Sequence, residues 1–283
     1  MPIESVSDTA RWVAAYRAME TERARGIIRD PYAARLAGDR GRQMAAEMPR
    51  SSDAAWSMAV RTAVIDEIVL DLTRGGKVDA VMNLAAGLDA RPWRLDLPKT
   101  LRWFDVDLPA ILQHKTHELR TERPRVAYEA IEADLRDAAI RHAVFSTVAR
   151  DAERVLVMSE GLLVYLEPNT VAELAADLHA HAAFRWWVFD LISSQVARMV
   201  EKSWGERLER ANAPFRFAPA EGTGFFTPFG WRETQFRSMM EEGRRLGRDM
   251  PKGWFWRTVA RVAPADKREA MRRMSGIALL ARE

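Results

Sequence analysis

The stretch VMNLAAGLDARPWRL, residues 81–95, decides the fold. An apolar strand ends at Leu84 and passes into the small-residue turn Ala85-Ala86-Gly87. Small side chains at that point let a ligand approach the backbone at the carboxyl end of a strand, where open α/β sheets bind nucleotides. The turn lacks the full G-x-G-x-x-G of dinucleotide binders, and tight strand-to-helix turns also occur with no ligand. Its meaning therefore depends on what flanks it.

Outward from this stretch the chain alternates. Strand-like segments are VDAVMNL (78–84), LRWFDVD (101–107), VAYEAI (126–131), RVLVMS (154–159), RWWVFDL (185–191) and SGIALLARE (275–283). Helical patterns over 109–120, 135–149 and 169–183 separate them. Strands alternating with helices predict βαβ units, and continuous apolar runs predict parallel strands covered on both faces. The last strand follows a long excursion and is expected to be an antiparallel partner. Residues 1–60 read as a helical N-terminal cover, with Trp12, Val13, Tyr16 and Met19 on one face, Asp8 as a candidate cap, and Asp30-Pro31 opening a second helix. Residues 56–73 form a long amphipathic helix that stops at Gly75-Gly76. Residues 193–262 break the rhythm and are rich in aromatics, so they read either as a substrate-covering cap or as a satellite core under long loops. As cap walls, Trp204, Phe226, Trp231 and Trp254 are the candidates, although core packing is the better reading for any single one of them.

Acidic residues recur where these strands end. WFDVDLP (103–109) carries Asp105 and Asp107, two apart and so on one strand face. An acid at the end of a second strand can accept hydrogen bonds from ribose hydroxyls, or it can cap the helix beginning at Pro109. EADLRD (132–137) puts Asp134 between a strand and a helix, with adenine recognition and an N-cap as competing roles. SEGLLVYLEP (159–168) puts Glu160 at a fourth strand end, where a carboxylate can sit beside a cation. Arg61, in RTAVID, is suited to a bidentate pair with a ligand carboxylate.

The ordered set RTAVID, VMNLAAGLDARPWRL, WFDVDLP, EADLRD and SEGLLVYL resembles the leucine carboxyl methyltransferase family, strongly over residues 56–191. The resemblance implies a Rossmann-like, class I methyltransferase α/β sheet of seven mostly parallel strands, the last antiparallel. It divides the chain into the cover (1–60) and an S-adenosyl-L-methionine-binding domain (61–283) that contains the 193–262 cap. It implies that Arg61 holds the methionine carboxylate, that Ala85 and Gly87 stand at the two glycines of the family's turn, and that Asp107 binds the ribose. Asp134 and Leu135 then face the adenine and Glu160 the methionine end. Ala85 departs from the family's glycine, where a methyl group crowds the cofactor or requires a negative φ. Asp105 stands where relatives often carry Glu.

Composition narrows the partners. Lys and Arg total 43 against 40 Asp and Glu, for a net charge of +3, and the basic residues are scattered. No basic stripe supports nucleic-acid binding. There is no Cys, so disulfides and thiolate metal sites are excluded, and His114, His117, His142, His179 and His181 show no metal-ligand spacing. The N-terminal MPIESVSDTARW has no apolar signal core and no run is long enough to span a membrane, so a cytoplasmic protein is expected.

The expected activity is methyl transfer from S-adenosylmethionine to an oxygen, a carboxylate, of a small organic acceptor. A carboxylate is ionised at neutral pH and needs no general base, in keeping with the lack of a motif-placed His. For a phenol or alcohol acceptor, Tyr165, Glu160 or a His outside the motifs are the candidate bases. Two alternatives use a similar sheet. A nicotinamide-dependent oxidoreductase predicts the complete glycine motif that is missing here. A non-catalytic module that retains the cofactor site shares every motif and differs only in turnover.

Overall fold

The structure is a computed structural model that describes residues 6–47, 51–210 and 214–283, without the side chains of residues 6–8, 51–54, 204, 206–210 and 257. Three helices precede the sheet: α1 (Val6–Glu22), α2 (Ala33–Glu47) and α3 (Ser51–Arg74). The side chain of Asp8, the candidate cap of α1, lies outside the described residues. Then follow β1 (Ala80–Leu84), α4 (Arg91–Arg94), β2 (Arg102–Asp107), α5 (Pro109–Glu118), β3 (Ala127–Glu132), α6 (Ala138–Asp151), β4 (Val155–Ser159), α7 (Pro168–His179) and β5 (Phe184–Ile192). The last part contains α8 (Ser194–Arg210), β6 (Trp231–Ser238), α9 (Met239–Arg245), α10 (Gly253–Val262), α11 (Ala265–Arg272) and β7 (Ser275–Arg282).

The seven strands form one sheet in the order β3-β2-β1-β4-β5-β7-β6. Strands β1 to β5 pair in parallel, and β7 runs antiparallel between β5 and β6. This is the Rossmann-like, class I methyltransferase sheet. The central strands β1 and β4 are buried at every position, which is why AVMNL and VLVMS are nearly continuous apolar runs. One face packs Met82, Phe104, Val157 and Trp187 against α6 and α7 through Phe145, Leu174 and Leu178. The other packs Val81, Trp103 and Val188 against Val60, Val64 and Ile68 of α3.

The stretch 193–262, read as a cap or a satellite core, also contributes a strand to the sheet that its sequence did not announce. Its residues 231–238 are strand β6, paired along its length with β7. The reason it escaped is its edge position: Arg232, Glu233 and Arg237 interrupt any apolar run, as charges commonly do on an edge strand.

The cover is tied to the sheet by apolar and ionic contacts. Trp12 and Tyr16 of α1 and Leu36 and Met44 of α2 pack with Leu88, Trp93 and Ile111. Buried Arg17 donates to Asp30 (2.9 Å) and to the carbonyl of Leu88 (2.5 Å), fixing α1 over the turn after β1. Among the described residues no helix is long and apolar enough to cross a membrane.

Candidate active site at the carboxyl edge of the sheet

At the carboxyl ends of β1, β2 and β4 lies a cavity of about 430 Å³. Arg61, Ala85, Gly87, Asp107, Asp134, Leu135 and Glu160 all line it, so the structure brings together every residue the sequence placed at the cofactor. Ala10 and Val13 of α1 close it from the cover side. Residues so far apart in sequence meet because parallel strands put all their carboxyl tips on one edge.

The turn after β1 has an unusual backbone. Ala85 has φ 53° and Gly87 has φ 51°. The left-handed region is open to glycine but costs an alanine roughly 1–2 kcal/mol. Ala85 thus does not require a negative φ, as its methyl group implied; it accepts the strain and keeps the turn's shape. A Cβ on Gly87 would stand 3.3 Å from the Cβ of Ala10, so the turn and α1 are in close approach.

Asp107 at the tip of β2 is clamped onto this turn. Its carboxylate accepts from the Gly87 N–H at 2.6 Å and the Leu108 N–H at 2.7 Å. It does not cap α5, whose N-cap is Leu108. Burial raises its pKa, opposed by those two amide donors. Asp105 shares the strand face but lies two residues deeper. It is fully buried against Lys115 (2.6 Å), Trp103 Nε1 (2.9 Å) and Asn83 (3.2 Å), so its role is to hold strands and α5 together.

Asp134 loses its competing role as well, since α6 is capped by Asp137, which accepts from the Ala139 and Ile140 amides. The Asp134 carboxylate faces the cavity wall and is paired with the exposed Arg136 (2.6 Å), whose bonds lower its pKa. Leu135 adds an apolar surface beside it.

The floor of the cavity is an ionic network. Glu160 bridges Arg61 Nε (2.9 Å) and Arg91 Nη1 (2.8 Å). Arg91 also donates to Asp66 (2.6 Å) and Asp89 (2.7 Å), and Arg94 donates to Asp66 (2.6 Å). Burial raises the pKa of Glu160, but Arg91 and Arg61 outweigh it and hold the group below its ordinary value. Burial likewise works against the charge on Arg61, and Asp190 and Glu160 more than restore it.

Asp190 is a site residue the sequence did not single out. From the end of β5 it accepts from Arg61 Nη1 (3.2 Å) and from the Gly161 N–H (2.6 Å). Gly161 is left-handed (φ 66°) and a Cβ there would lie 3.2 Å from Arg61 Nη1. Three guanidinium groups (Arg61, Arg91, Arg94) thus interleave with four carboxylates (Asp66, Asp89, Glu160, Asp190) in one continuous ionic network.

A second cavity of about 460 Å³ adjoins the first. Met58, Arg61, Gly161 and Tyr165 line both. Methionines dominate the second: Met58 from α3, Met199 from α8, Met239 and Met240 from α9, Met250, Met271 from α11 and Met274. Trp56, Phe215, Phe217 and Trp256 supply aromatic wall. Of the four proposed cap walls, none is described at either cavity. Phe226 and Trp231 are buried in the core with Trp187, the Phe226 ring 5.2 Å and the Trp231 ring 5.6 Å from it. Trp254 is exposed on α10, and the Trp204 side chain lies outside the described residues. The partly buried Tyr165 phenol is pushed up to about 12 by desolvation, with Arg61 opposing the shift. At neutral pH it is a proton donor and not a ready base. None of the His side chains lines either cavity, and no metal-binding cluster occurs among the described residues.

Fold and crevice together define a Rossmann-like α/β protein of the class I methyltransferase fold, with an open cavity at its strand tips. The chain matches the leucine carboxyl methyltransferase family over residues 10–179, and it belongs to that family. A relative from Mycobacteroides abscessus, provisionally assigned as an S-adenosyl-L-methionine-dependent methyltransferase, is 36% identical over 197 residues, 64% of each chain. A similarly assigned relative from Mycobacterium bovis BCG is 31% identical over 232 residues, 75% of this chain and 72% of that one. The chain covers 64% and 61% of the length of two of its Mycobacteroides abscessus relatives, just under two thirds. Among solved structures, a DUF574 family protein of Streptomyces avermitilis superposes with TM-score 0.58 at 13% identity, covering 96% of this chain and 97% of that one. A provisionally assigned methyltransferase of Thermobifida fusca gives 0.56 at 15% identity, covering 100% and 96%. Both share the fold.

Proposed function

We propose that this enzyme transfers the methyl group of S-adenosylmethionine to a carboxylate oxygen of a small organic acid. The observation that carries this is the shared wall: the cavity ringed by strand tips and the methionine-lined cavity meet at Arg61, Gly161 and Tyr165. Donor and acceptor sites that share such a wall can hold two molecules end to end.

The residues of the first cavity fit the donor. Asp107 presents a fixed carboxylate to the ribose, Asp134 and Leu135 present a polar and an apolar surface to the adenine, and the left-handed Ala85 and Gly87 clear room at the backbone. Arg61 keeps Nη2 outside its pairs with Glu160 and Asp190, for the methionine carboxylate. Glu160 presents its carboxylate at the methionine end, beside the ammonium group. When bound, the donor supplies an electrophilic methyl carbon. The chain's task is to align an acceptor oxygen with it, which makes the encounter effectively unimolecular. The acceptor oxygen bonds that carbon as the carbon–sulfur bond breaks, and the electron pair stays on sulfur. A carboxylate brings no proton to remove, so a site without His, and with Tyr165 held protonated, is sufficient.

Calorimetry with S-adenosylhomocysteine and with NAD tests the donor site, with heat expected from the first alone. Mass spectrometry of acids incubated with enzyme and donor tests the chemistry, with base-labile methyl esters expected. Binding of the donor without any methylated acid or alcohol would identify a non-catalytic module.

A further inference from the structure

Resting on that methyl-transfer reading, we infer that the acceptor is a bulky hydrophobic acid with a single ionisable group, its apolar body buried among the methionines. The second cavity, about 460 Å³, is within the range that encloses a drug-sized molecule. Seven of the chain's 13 methionines line it, drawn from five separate parts of the chain. Unbranched, polarisable thioethers conform to apolar surfaces of varied shape, so such a wall accepts chains and rings alike.

Charge sets the second limit. Among the described residues, the only charged side chains on this cavity are Arg61 and Asp190, and they face one another at the end shared with the first cavity. The remaining polar lining consists of Tyr165, Gln195 and four serines. A second charge on the acceptor, such as an amino group or a distal carboxylate, would be buried with no partner among the described residues, at a cost of several kcal/mol. Amino acids, dicarboxylates and charged peptides are thereby disfavoured. The acceptor's one charge belongs beside Arg61 and Tyr165, where its oxygen meets the methyl donor.

The test uses the whole chain loaded with S-adenosylhomocysteine, and hexanoate, octanoate, decanoate and dodecanoate below micellar concentration. Calorimetric affinity is expected to rise about fourfold per methylene until the cavity is full, since each buried CH₂ is worth a fixed increment. With S-adenosylmethionine, kcat/KM for dodecanoate is expected to exceed that for dodecanedioate about a hundredfold. Met199, half exposed on α8 (54%), tolerates a charge without unfolding, and Met199→Glu is expected to lower dodecanoate kcat/KM about tenfold while leaving S-adenosylhomocysteine affinity unchanged. Affinity flat with length, or a dicarboxylate turned over as well as the monoacid, would overturn the inference. The two readings fail separately. Length-dependent binding without ester formation removes the methyl transfer and keeps the ligand class. Methylation of short or doubly charged acids alone does the reverse.

Discussion

The Asp190 carboxylate stands 3.2 Å from Nη1 of Arg61, joining β5 to α3 at the boundary between the two cavities. Because the same carboxylate also accepts from Gly161, it fixes the guanidinium in two directions. Asp190→Asn keeps the shape and removes the charge. A hydrogen bond to a charged group is worth roughly 1.5–3 kcal/mol, so S-adenosylhomocysteine affinity should fall about tenfold or more through a misplaced Arg61. Calorimetry on the variant checks this, and unaltered affinity would remove Asp190 from the site.

Asp107 gives the donor site a pH dependence. Burial raises its folded pKa above the ordinary value, despite the Gly87 and Leu108 amides. On the proposed donor reading, the ionised form is the one that accepts from both ribose hydroxyls. Affinity for S-adenosylhomocysteine is therefore expected to weaken as pH falls through a midpoint above the usual aspartate value of about 3.9. In Asp107→Asn that titration should vanish and affinity at neutral pH should drop about ten- to a hundredfold.

Ala85→Gly should stabilise the protein. The substitution releases the strain of φ 53°, roughly 1–2 kcal/mol, and gives back about 0.4–1 kcal/mol as added freedom of the unfolded chain. The net gain of about 0.5–1 kcal/mol corresponds to a Tm increase of about 1–3 °C, readable by scanning calorimetry. A lower Tm would mean that the methyl group packs against something worth more than its strain.

Arg91 is the hub of the ionic floor, bonded to Asp66, Asp89 and Glu160. Arg91→Met strands those carboxylates in a buried site and should cost about 3–5 kcal/mol in urea unfolding. Burial works against the charge on Asp89 and Glu160, yet Arg91 and its neighbours hold both groups below their ordinary values. A depressed folded pKa contributes stability above the unfolded value, about 4, and that stability is lost as pH falls towards the folded value. Wild-type stability should therefore drop below about pH 4, and this acid-dependent component should be much reduced in Arg91→Met.

Much of this architecture was legible in the chain because it rests on local pattern. Leu84 running into Ala85-Ala86-Gly87, and acids at positions 107, 134 and 160, mark successive strand tips, and parallel topology then brings them together. Three things were not legible. Strand β6 carries charges because it is an edge, so its run WRETQFRS lacks the apolar signature of the buried strands. Asp190 takes its meaning from Arg61, 129 residues earlier, a contact no local spacing encodes. The aromatic content of 193–262 could not tell a wall from a core: Phe226 and Trp231 were drawn inward to Trp187, and the acceptor wall fell largely to methionines dispersed from position 58 to 274.

The placement of β7 orders how the enzyme can assemble. The crevice at the strand tips is lined by residues 9–216, whereas the methionine-lined chamber draws on Met271, Met274, Ser275 and Gly276. Strand β7 lies between β5 and β6, so that half of the sheet, and the chamber beside it, is complete only when the last strand is in place. The strand-tip crevice is thus complete early in the sequence, and the methionine-lined chamber waits for the last strand.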